Sequence, residues 1–250
     1  NGQGRYRSNV NMNGDNDWFN STNWTLFSGL PNVNGYPGIN DTAEIHNGNI
    51  CILTSDITVK RFIIRNNSST LSALTTNNGV NLTVSDRAIV QVNGTAPQID
   101  ITINGTLTIG DRFQCDVDRD NADIDILIGN NGLFDINGTA GTSFYRERNT
   151  GSTSSFINNG TFDNNRVTLF ETRNGFGTTI INNGTMISQR DFVLRTRGAG
   201  SSLTFDNNGT LDCNNHLTLD SREGADPLDL IIDTRFSGSN IFVKRNFRFT

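Results

Sequence analysis

The sequence contains few charged residues, few prolines and hardly any lysine. Charged residues make up 18% of the 250, proline occurs four times, and Lys60 and Lys244 are the two lysines. The 18 arginines are spread along the chain and the net charge is −5, so we expect no nucleic-acid partner. No apolar run approaches the roughly 20 residues that a membrane-spanning helix needs, so we also expect no membrane span.

Cysteine is scarce as well. Cys51, Cys115 and Cys213 are the three cysteines, so at least one of them lacks a disulfide partner within the chain. Three cysteines are compatible with an oxidising compartment and with a reducing one. The chain begins at Asn1 rather than Met, which is typical of a processed, mature protein.

What the sequence has instead is an excess of Asn, Thr and Gly, which occur 37, 29 and 25 times. Asn and Thr side chains compete with the hydrogen bonds of a helix backbone, and Gly weakens a helix. The 16 phenylalanines and the many Ile, Leu and Val residues recur in short alternating runs, which predict strands. The composition therefore predicts an all-β protein.

A repeat organises most of the chain. Similar segments recur around the glycine of an Asn-Gly turn, at Gly79, Gly105, Gly132, Gly160, Gly184 and Gly209. Each repeat has one strand-like run before the turn, one after it and a third about eight residues later. Three short strands per repeat predict a parallel β-solenoid. We expect about seven or eight coils of 24–28 residues across residues 43–250, as one continuous domain.

Equal register predicts that side chains stack in columns along the solenoid. The alternation places Leu107, Phe134, Phe162, Met186 and Leu211 in one interior column, and it turns Cys115 and Cys213 inward as buried free thiols. We expect the turn glycines to adopt positive φ. The predicted turn ladder consists of Asn104, Gly105, Thr106, Asn159, Gly160, Thr161, Asn183, Gly184, Thr185, Asn208, Gly209 and Thr210. Amide columns are expected to include Asn130, Asn158, Asn182 and Asn207, and beside them Asn131.

The two ends of the chain differ from the repeat. Residues 1–42 lack it and contain both tryptophans, so we expect an aromatic N-terminal cap in which Trp18 and Trp24, with Phe19, Phe27 and Leu30, cover the first coil. The last residues, IFVKRNFRFT, alternate like a strand with no polar cap after them. This end predicts head-to-tail self-association by strand addition, with residues 242–250 of one subunit meeting residues 1–12 or the first coil of the next.

The cap and the turns together resemble a known group. The order Asn23, Trp24, Pro31, Asp41 and Ile45, followed by Asn-Gly-Thr turns, is similar to secreted parallel β-helix adhesins and surface proteins of gliding, marine-type Bacteroidetes. The resemblance implies an extracellular or cell-surface location and a non-enzymatic structural or adhesive function. It is also compatible with a segment of a larger cell-surface adhesin.

One acidic run is a candidate calcium site. Asp116, Asp118, Asp120 and Asn121 match the start of a calcium loop, D-x-D-x-D-N, although Leu127 stands where the bidentate acid of an EF-hand would be. Asp123 or Asp125 is the substitute ligand in that interpretation. The alternative is that these acids face solvent from a strand and the following loop.

A carbohydrate-binding or polysaccharide-cleaving β-helix is the main alternative function, with a surface glycan as partner. Asp135, Asp163 and Asp212 occupy the same outward position in three coils. The arginines that accompany them near the third strand are Arg112, Arg166, Arg190 and Arg195. Repetition also explains such a row without catalysis, so we expect no enzyme. Threonine columns suggest ice binding, but Leu133 breaks them.

Twelve Asn-x-Ser/Thr sequons occur in the chain. Those in the stacked turns are explained by turn chemistry, and glycans on successive coils would collide. The candidate glycosylation sites are therefore Asn20, Asn40 and Asn67 in the cap and loops.

Overall fold

The computed structural model describes residues 3–9, 15–92, 97–117, 119–147, 153–175, 177–222, 230–233, 240–243 and 246–249. The regular structure in these residues is β, apart from one short 3₁₀ helix at Ser21–Asn23. The strands form three sheets, in which each solenoid strand pairs in parallel with its counterpart in the next coil. The chain is a parallel β-solenoid, as the repeat predicts.

Sheet 1 has eleven strands and includes two from the cap. In spatial order its strands are β2 (Trp24–Ser28), β1 (Arg5–Ser8), β3 (Thr42–His46), β6 (Arg61–Asn66), β9 (Ala88–Val92), β12 (Phe113–Val117), β15 (Thr142–Glu147), β18 (Val167–Arg173), β21 (Phe192–Arg197), β24 (His216–Arg222) and β27 (Asn246–Phe249). Strands β1 and β2 are antiparallel, whereas β1 runs parallel to β3. The cap therefore extends the solenoid sheet.

Sheets 2 and 3 have eight strands each. Sheet 2 consists of β4 (Ile50–Leu53), β7 (Ser72–Thr76), β10 (Gln98–Ile103), β13 (Asp123–Ile128), β16 (Thr153–Asn158), β19 (Gly177–Asn182), β22 (Ser202–Asn207) and β25 (Leu230–Asp233). Sheet 3 consists of β5 (Ile57–Val59), β8 (Asn81–Val84), β11 (Thr106–Ile109), β14 (Leu133–Ile136), β17 (Thr161–Asn164), β20 (Thr185–Ser188), β23 (Thr210–Cys213) and β26 (Asn240–Val243).

The number of regular turns is slightly smaller than the seven or eight expected. Six successive turns, from β6 to β23, contain one strand of each sheet with the register kept throughout. The turn before them has only a three-residue strand in sheet 3. The turn after them has only four residues described in each of β25 and β26.

The interior is filled by columns of apolar side chains. The predicted column is confirmed, because Leu107 pairs in register with Phe134, Phe134 with Phe162, Phe162 with Met186, and Met186 with Leu211, and all five are buried. The rings of Phe134 and Phe162 meet edge to face, with centroids 5.5 Å apart. Such stacking is worth about 1 kcal/mol beyond the area that the rings bury.

The three cysteines are buried and form no disulfide, as the alternation predicts for Cys115 and Cys213. Burial disfavours the charged thiolate and raises the pKa of both the Cys51 and the Cys213 thiols. These thiols pack as small apolar side chains.

The turn glycines are required for a different reason from the one expected. Gly105, Gly160, Gly184 and Gly209 are absent from the glycines with positive φ, which include Gly48 and Gly79. A Cβ atom on Gly184 would lie 2.1 Å from the carbonyl oxygen of Gly160 in the preceding coil. The prediction of positive φ at these four positions was wrong. The backbone of the preceding coil, and not the φ angle, excludes a side chain there.

The cap covers the first turn with its tryptophans. Trp18 and Trp24 are buried and meet edge to face at 4.8 Å, and the Trp24 indole N–H donates to the carbonyl of Trp18 at 2.7 Å. Asp41 accepts backbone N–H bonds from Gly4 at 2.8 Å and Gly38 at 2.9 Å. Trp24 and Asp41, two of the residues on which the resemblance rests, therefore organise the cap.

Two predicted cap contacts were wrong. Phe27 is 55% exposed and Leu30 is 62% exposed, so neither covers the first coil. Phe27 instead lies under the guanidinium group of Arg7, 4.2 Å from the ring centroid.

No helix among the described residues is long and apolar enough to cross a membrane.

Candidate binding face on the eleven-stranded sheet

The turn ladder consists of two amide columns. In the buried column the Asn158 amide donates to Asn182 at 2.8 Å, and the Asn182 amide donates to Asn207 at 2.7 Å. In the exposed column Asn183 donates to Asn159 at 2.8 Å and Asn208 to Asn183 at 3.0 Å. These bonds join three successive coils through side chains alone.

The ladder is shorter than predicted. Ile128, rather than Asn130, pairs in register with Asn158, because the turn from Ile128 to Gly132 is longer than the later turns. Asn130 and Asn131 were therefore placed wrongly in the amide columns. Asn104 lies beside Gly129, which has no amide side chain to continue the column.

The threonine column of the turn ladder is continuous only in the later coils. Thr161 pairs in register with Thr185, and Thr185 pairs with Thr210. Leu133 separates Thr106 from Thr161. The column thus strengthens the corner of the solenoid without forming a long hydroxyl array.

The candidate calcium residues are divided between two sheets. Asp116 lies on β12 of sheet 1, Asp123 begins β13 of sheet 2, and Asp120 and Asn121 lie in the turn between them. Asp118 falls outside the described residues. Within the described part of the chain, no three His, Cys, Asp or Glu side chains form a group that could hold a metal ion.

The aspartate row of the enzymatic alternative is present, on sheet 3. Asp135 pairs in register with Asp163, and Ile187 separates Asp163 from Asp212. Asp135 accepts a hydrogen bond from Asn137, and Asp163 accepts one from Gln189. Of the arginines considered with this row, Arg195 lies on sheet 1 and Arg166 pairs with Asp111. The structure therefore does not bring the row together with these two arginines.

The candidate glycosylation sites differ in their surroundings. Asn20 caps the 3₁₀ helix by accepting from the backbone N–H of Thr22 at 3.0 Å, and its amide nitrogen donates to Asp15. A glycan would replace one of the two N–H groups of that nitrogen, next to Asp15. Asn40 and Asn67 are exposed, so both can carry a glycan more easily than Asn20.

Charge is segregated among the sheets. Every lysine or arginine in a described strand belongs to sheet 1, namely Arg5, Arg7, Arg61, Arg65, Arg146, Arg173, Arg195, Arg197, Arg222 and Arg248. The charged residues in the described strands of sheets 2 and 3 are aspartates, among them Asp100, Asp125, Asp135, Asp163, Asp206 and Asp212. The arginines of the described strands, although dispersed in the sequence, thus lie on one sheet.

The densest part of that face lies on strands β15, β18, β21 and β24. We call it the arginine face, and it consists of Arg146, Arg173, Arg195, Arg197 and Arg222. Arg173 pairs in register with Arg197 and Arg197 with Arg222, one arginine per coil. The neighbouring column alternates in sign, because Glu171 stands between Arg146 and Arg195, and Asp220 follows Arg195.

The acids of the arginine face lie beneath its guanidinium groups. The Glu171 side chain is 0% exposed, and its carboxylate is 2.6 Å from Arg173, 3.0 Å from Arg146 and 3.2 Å from Arg195. The Asp220 side chain is 1% exposed and receives Arg195 at 2.6 Å and Arg222 at 2.7 Å. The side chains of Arg173 and Arg222 remain 29% and 49% exposed, so the charged groups that this face presents to solvent are cationic.

Both acids remain ionised in this environment. Burial works against ionisation of Glu171, but hydrogen bonds from Arg195 and Arg173 outweigh it and hold the pKa of its carboxyl below the ordinary value. Burial likewise opposes ionisation of Asp220, and bonds from Arg222 and Arg195 lower its pKa. The acids therefore keep the guanidinium groups in fixed positions at neutral pH.

An apolar strip runs beside the alternating column. Phe144 pairs in register with Leu169, and Leu169 with Val193. The guanidinium group of Arg146 lies 4.4 Å from the centroid of the Phe144 ring. The face thus combines cations with a partly exposed aromatic side chain.

A second buried acid joins the cap to sheet 1. The Glu44 side chain of β3 is 0% exposed and forms ion pairs with Arg5 and Arg7 of the cap and with Arg65 of the next coil. The Arg7 and Arg65 nitrogens both lie 3.5 Å from the carboxylate. This cluster couples cap and solenoid in the same way that Glu171 couples later coils.

The arginine face was not predicted from the sequence, because its arginines are far apart along the chain and become neighbours only when the coils stack. In a solenoid, residues that follow the turn glycine at the same distance lie side by side. Aligning the repeats on that glycine would have stacked Arg173, Arg197 and Arg222.

The fold and this face define a β-solenoid with one cationic side. Comparison with family models, curated proteins and solved structures finds no match to the chain.

Proposed function

We propose that the chain is a non-enzymatic, extracellular adhesive rod that attaches through sheet 1. The observation that supports this function most strongly is the distribution of charge in the described strands: all the arginines lie on sheet 1, where they outnumber the acids, and the charged residues of sheets 2 and 3 are aspartates. A cationic face on a protein of net charge −5 gives attachment in one orientation. The extracellular location rests on the resemblance to secreted β-helix adhesins.

The regular stacking of coils suits this function. Neighbouring strands lie about 4.8 Å apart, so successive turns present an extended and nearly flat surface. Buried ion pairs fix the surface of sheet 1 from within, and the amide columns join the coils at the corner between sheets 2 and 3. A ligand is then met by side chains that are already ordered, which lowers the entropic cost of binding.

Attachment of the labelled chain to intact Gram-negative bacteria tests the adhesive function. We expect binding at low salt that declines steeply as salt is added, because screening weakens contacts between exposed charges. A chain that attaches to no bacterial surface at low salt would contradict the proposal.

A hydrolysis assay separates the rod from a polysaccharide-cleaving enzyme. We expect no release of reducing ends or unsaturated products from acidic or neutral polysaccharides. The Asp163→Ala and Asp212→Ala variants are expected to behave like the original chain. Turnover that either substitution abolishes would establish the enzymatic alternative instead.

A second candidate function is end-to-end self-association, which the exposed apolar residues of the cap favour. Leu30, Val33 and Ile39 are 62%, 98% and 64% exposed, and they follow β2, the edge strand of sheet 1. An edge strand with adjacent apolar side chains accepts a further strand readily. The proposed occupant is the last part of the solenoid of a second copy.

Light scattering coupled to size-exclusion chromatography tests this association. We expect oligomers that grow with concentration and become monomers in the Leu30→Ser/Val33→Ser variant. The Asn34→Ser substitution in the same exposed segment is the control and should leave the oligomers intact. A chain that is monomeric at all concentrations would refute self-association.

A further inference from the structure

The arginine face has a regular spacing along the rod. Arg173, Arg197 and Arg222 contribute one guanidinium group per coil. Coils repeat at about 4.8 Å, so the three groups form a row of cations that crosses the strands and runs along the rod axis. A ligand that matches this row must be extended and must carry negative groups at a similar interval.

The groups in this row are arranged before any ligand arrives. The carboxylates of Glu171 and Asp220 are buried beneath them and hold Arg173 and Arg222 at 2.6 and 2.7 Å. Each guanidinium group has five N–H donors, and the side chains of Arg173 and Arg222 are 29% and 49% exposed, so an external carboxylate can reach them. A planar guanidinium group binds a carboxylate through two parallel hydrogen bonds.

We propose that the arginine face binds a linear polyuronate, a glycan with one carboxylate on each sugar, laid along the rod axis. An extended chain of this kind advances by roughly one coil spacing per sugar, so the carboxylates on the side of the chain that faces the protein reach arginines of the row. This inference rests on the proposed adhesive function and names its ligand.

The charge density of the face favours a polyuronate over nucleic acid. Duplex DNA carries one charge per about 1.7 Å of axis, roughly three times the density of one arginine per coil of about 4.8 Å. The aspartates of sheets 2 and 3 would also repel a polyanion that extended beyond sheet 1. A single acidic glycan chain fits within the width of the face.

Surface-immobilised polygalacturonate is the probe for this inference, with uncharged dextran and duplex DNA on parallel surfaces. The face variant is Arg173→Gln/Arg222→Gln, which removes two exposed cations of the row. The control is Arg119→Gln/Arg190→Gln, which removes two exposed arginines outside the strands and gives the same net charge. Thermal unfolding of both variants checks that they are folded.

We expect the original chain to bind polygalacturonate and not dextran. The face variant should bind about tenfold more weakly, since two exposed ion pairs with the ligand are lost. The control variant should bind like the original chain. The dependence of affinity on salt should also become shallower in the face variant, because fewer ions are released on binding.

Other outcomes would overturn the inference. Equal weakening in both variants would show that binding follows net charge and not this row. Binding to duplex DNA at least as tight as to polygalacturonate would assign the face to another polymer. Attachment to bacteria without binding to polygalacturonate would reject the polyuronate and leave the adhesive function intact, whereas loss of both would reject both proposals.

Discussion

At the scale of single residues, the corner glycines of the later turns are required because the neighbouring backbone leaves no room for a side chain, and not because of a positive φ. A Cβ atom on Gly209 would lie 2.0 Å from the carbonyl oxygen of Gly184, and one on Gly184 would lie 2.1 Å from that of Gly160. Backbone atoms in a parallel ladder cannot move aside without breaking the stacking of coils. The glycines therefore set how closely successive turns approach.

The Gly184→Ala substitution tests this account. We expect a loss of about 3 kcal/mol in the free energy of unfolding, the upper part of the range for overpacked sites. Gly177→Ala is the control, because its added methyl group would meet only the rotatable hydroxyl of Ser202, at 3.2 Å. Denaturant unfolding measures both, and equal effects of the two substitutions would contradict the steric explanation.

The buried and exposed amide columns should differ in energetic importance. Asn182 is buried, accepts from Asn158 and donates to Asn207 and to the carbonyl of Thr210. Replacing it with alanine leaves buried polar groups unsatisfied, which costs about 1–3 kcal/mol for each. Asn183 belongs to the exposed column, where water replaces lost partners.

We therefore expect Asn182→Ala to destabilise the chain by about 3 kcal/mol and Asn183→Ala by less than about 1 kcal/mol. Chemical denaturation of the two variants is the measurement. Similar values for these adjacent residues would mean that the buried column does not join the coils as the geometry indicates.

At the scale of the element, sheet 1 is tied together by buried acids. Glu171 contacts arginines from three neighbouring strands, and Asp220 continues the pairing into β24. The pKa values of both acids are lowered in the folded chain, so folding is stabilised while they are ionised. That stabilisation is complete above the unfolded values of 4.5 and 3.8 and is lost as pH falls through the lower folded values.

The Glu171→Gln/Asp220→Asn variant tests this pH dependence. We expect it to be less stable than the original chain at pH 7, by about 2 kcal/mol or more, because charged hydrogen bonds are replaced by neutral ones. The difference should shrink below pH 4 as the original acids become protonated. Thermal unfolding across this pH range measures it, and a difference independent of pH would show that the acids contribute through packing alone.

At the scale of the whole molecule, the period of the sequence was enough to predict the solenoid. The alternation around Phe134, Phe162 and Met186 predicted the interior column, because side chains of equal register must face the same way. The cap could not be predicted in detail, because Phe27 and Leu30 lie outside any repeat. The arginine face was missed because no local pattern around Arg173 or Arg222 reveals it, and only an alignment of whole repeats on the turn glycine brings these residues together.

The most direct test of the central claim is arginine modification with a dicarbonyl reagent, read by mass spectrometry with and without polygalacturonate. The account predicts that polygalacturonate protects Arg173 and Arg222 on the arginine face. It also predicts that Arg190, which is exposed in the turn between β20 and β21, reacts equally in both conditions. Protection of Arg190 to the same degree, or unchanged reactivity of Arg173 and Arg222, would contradict the assignment of this face as the binding surface.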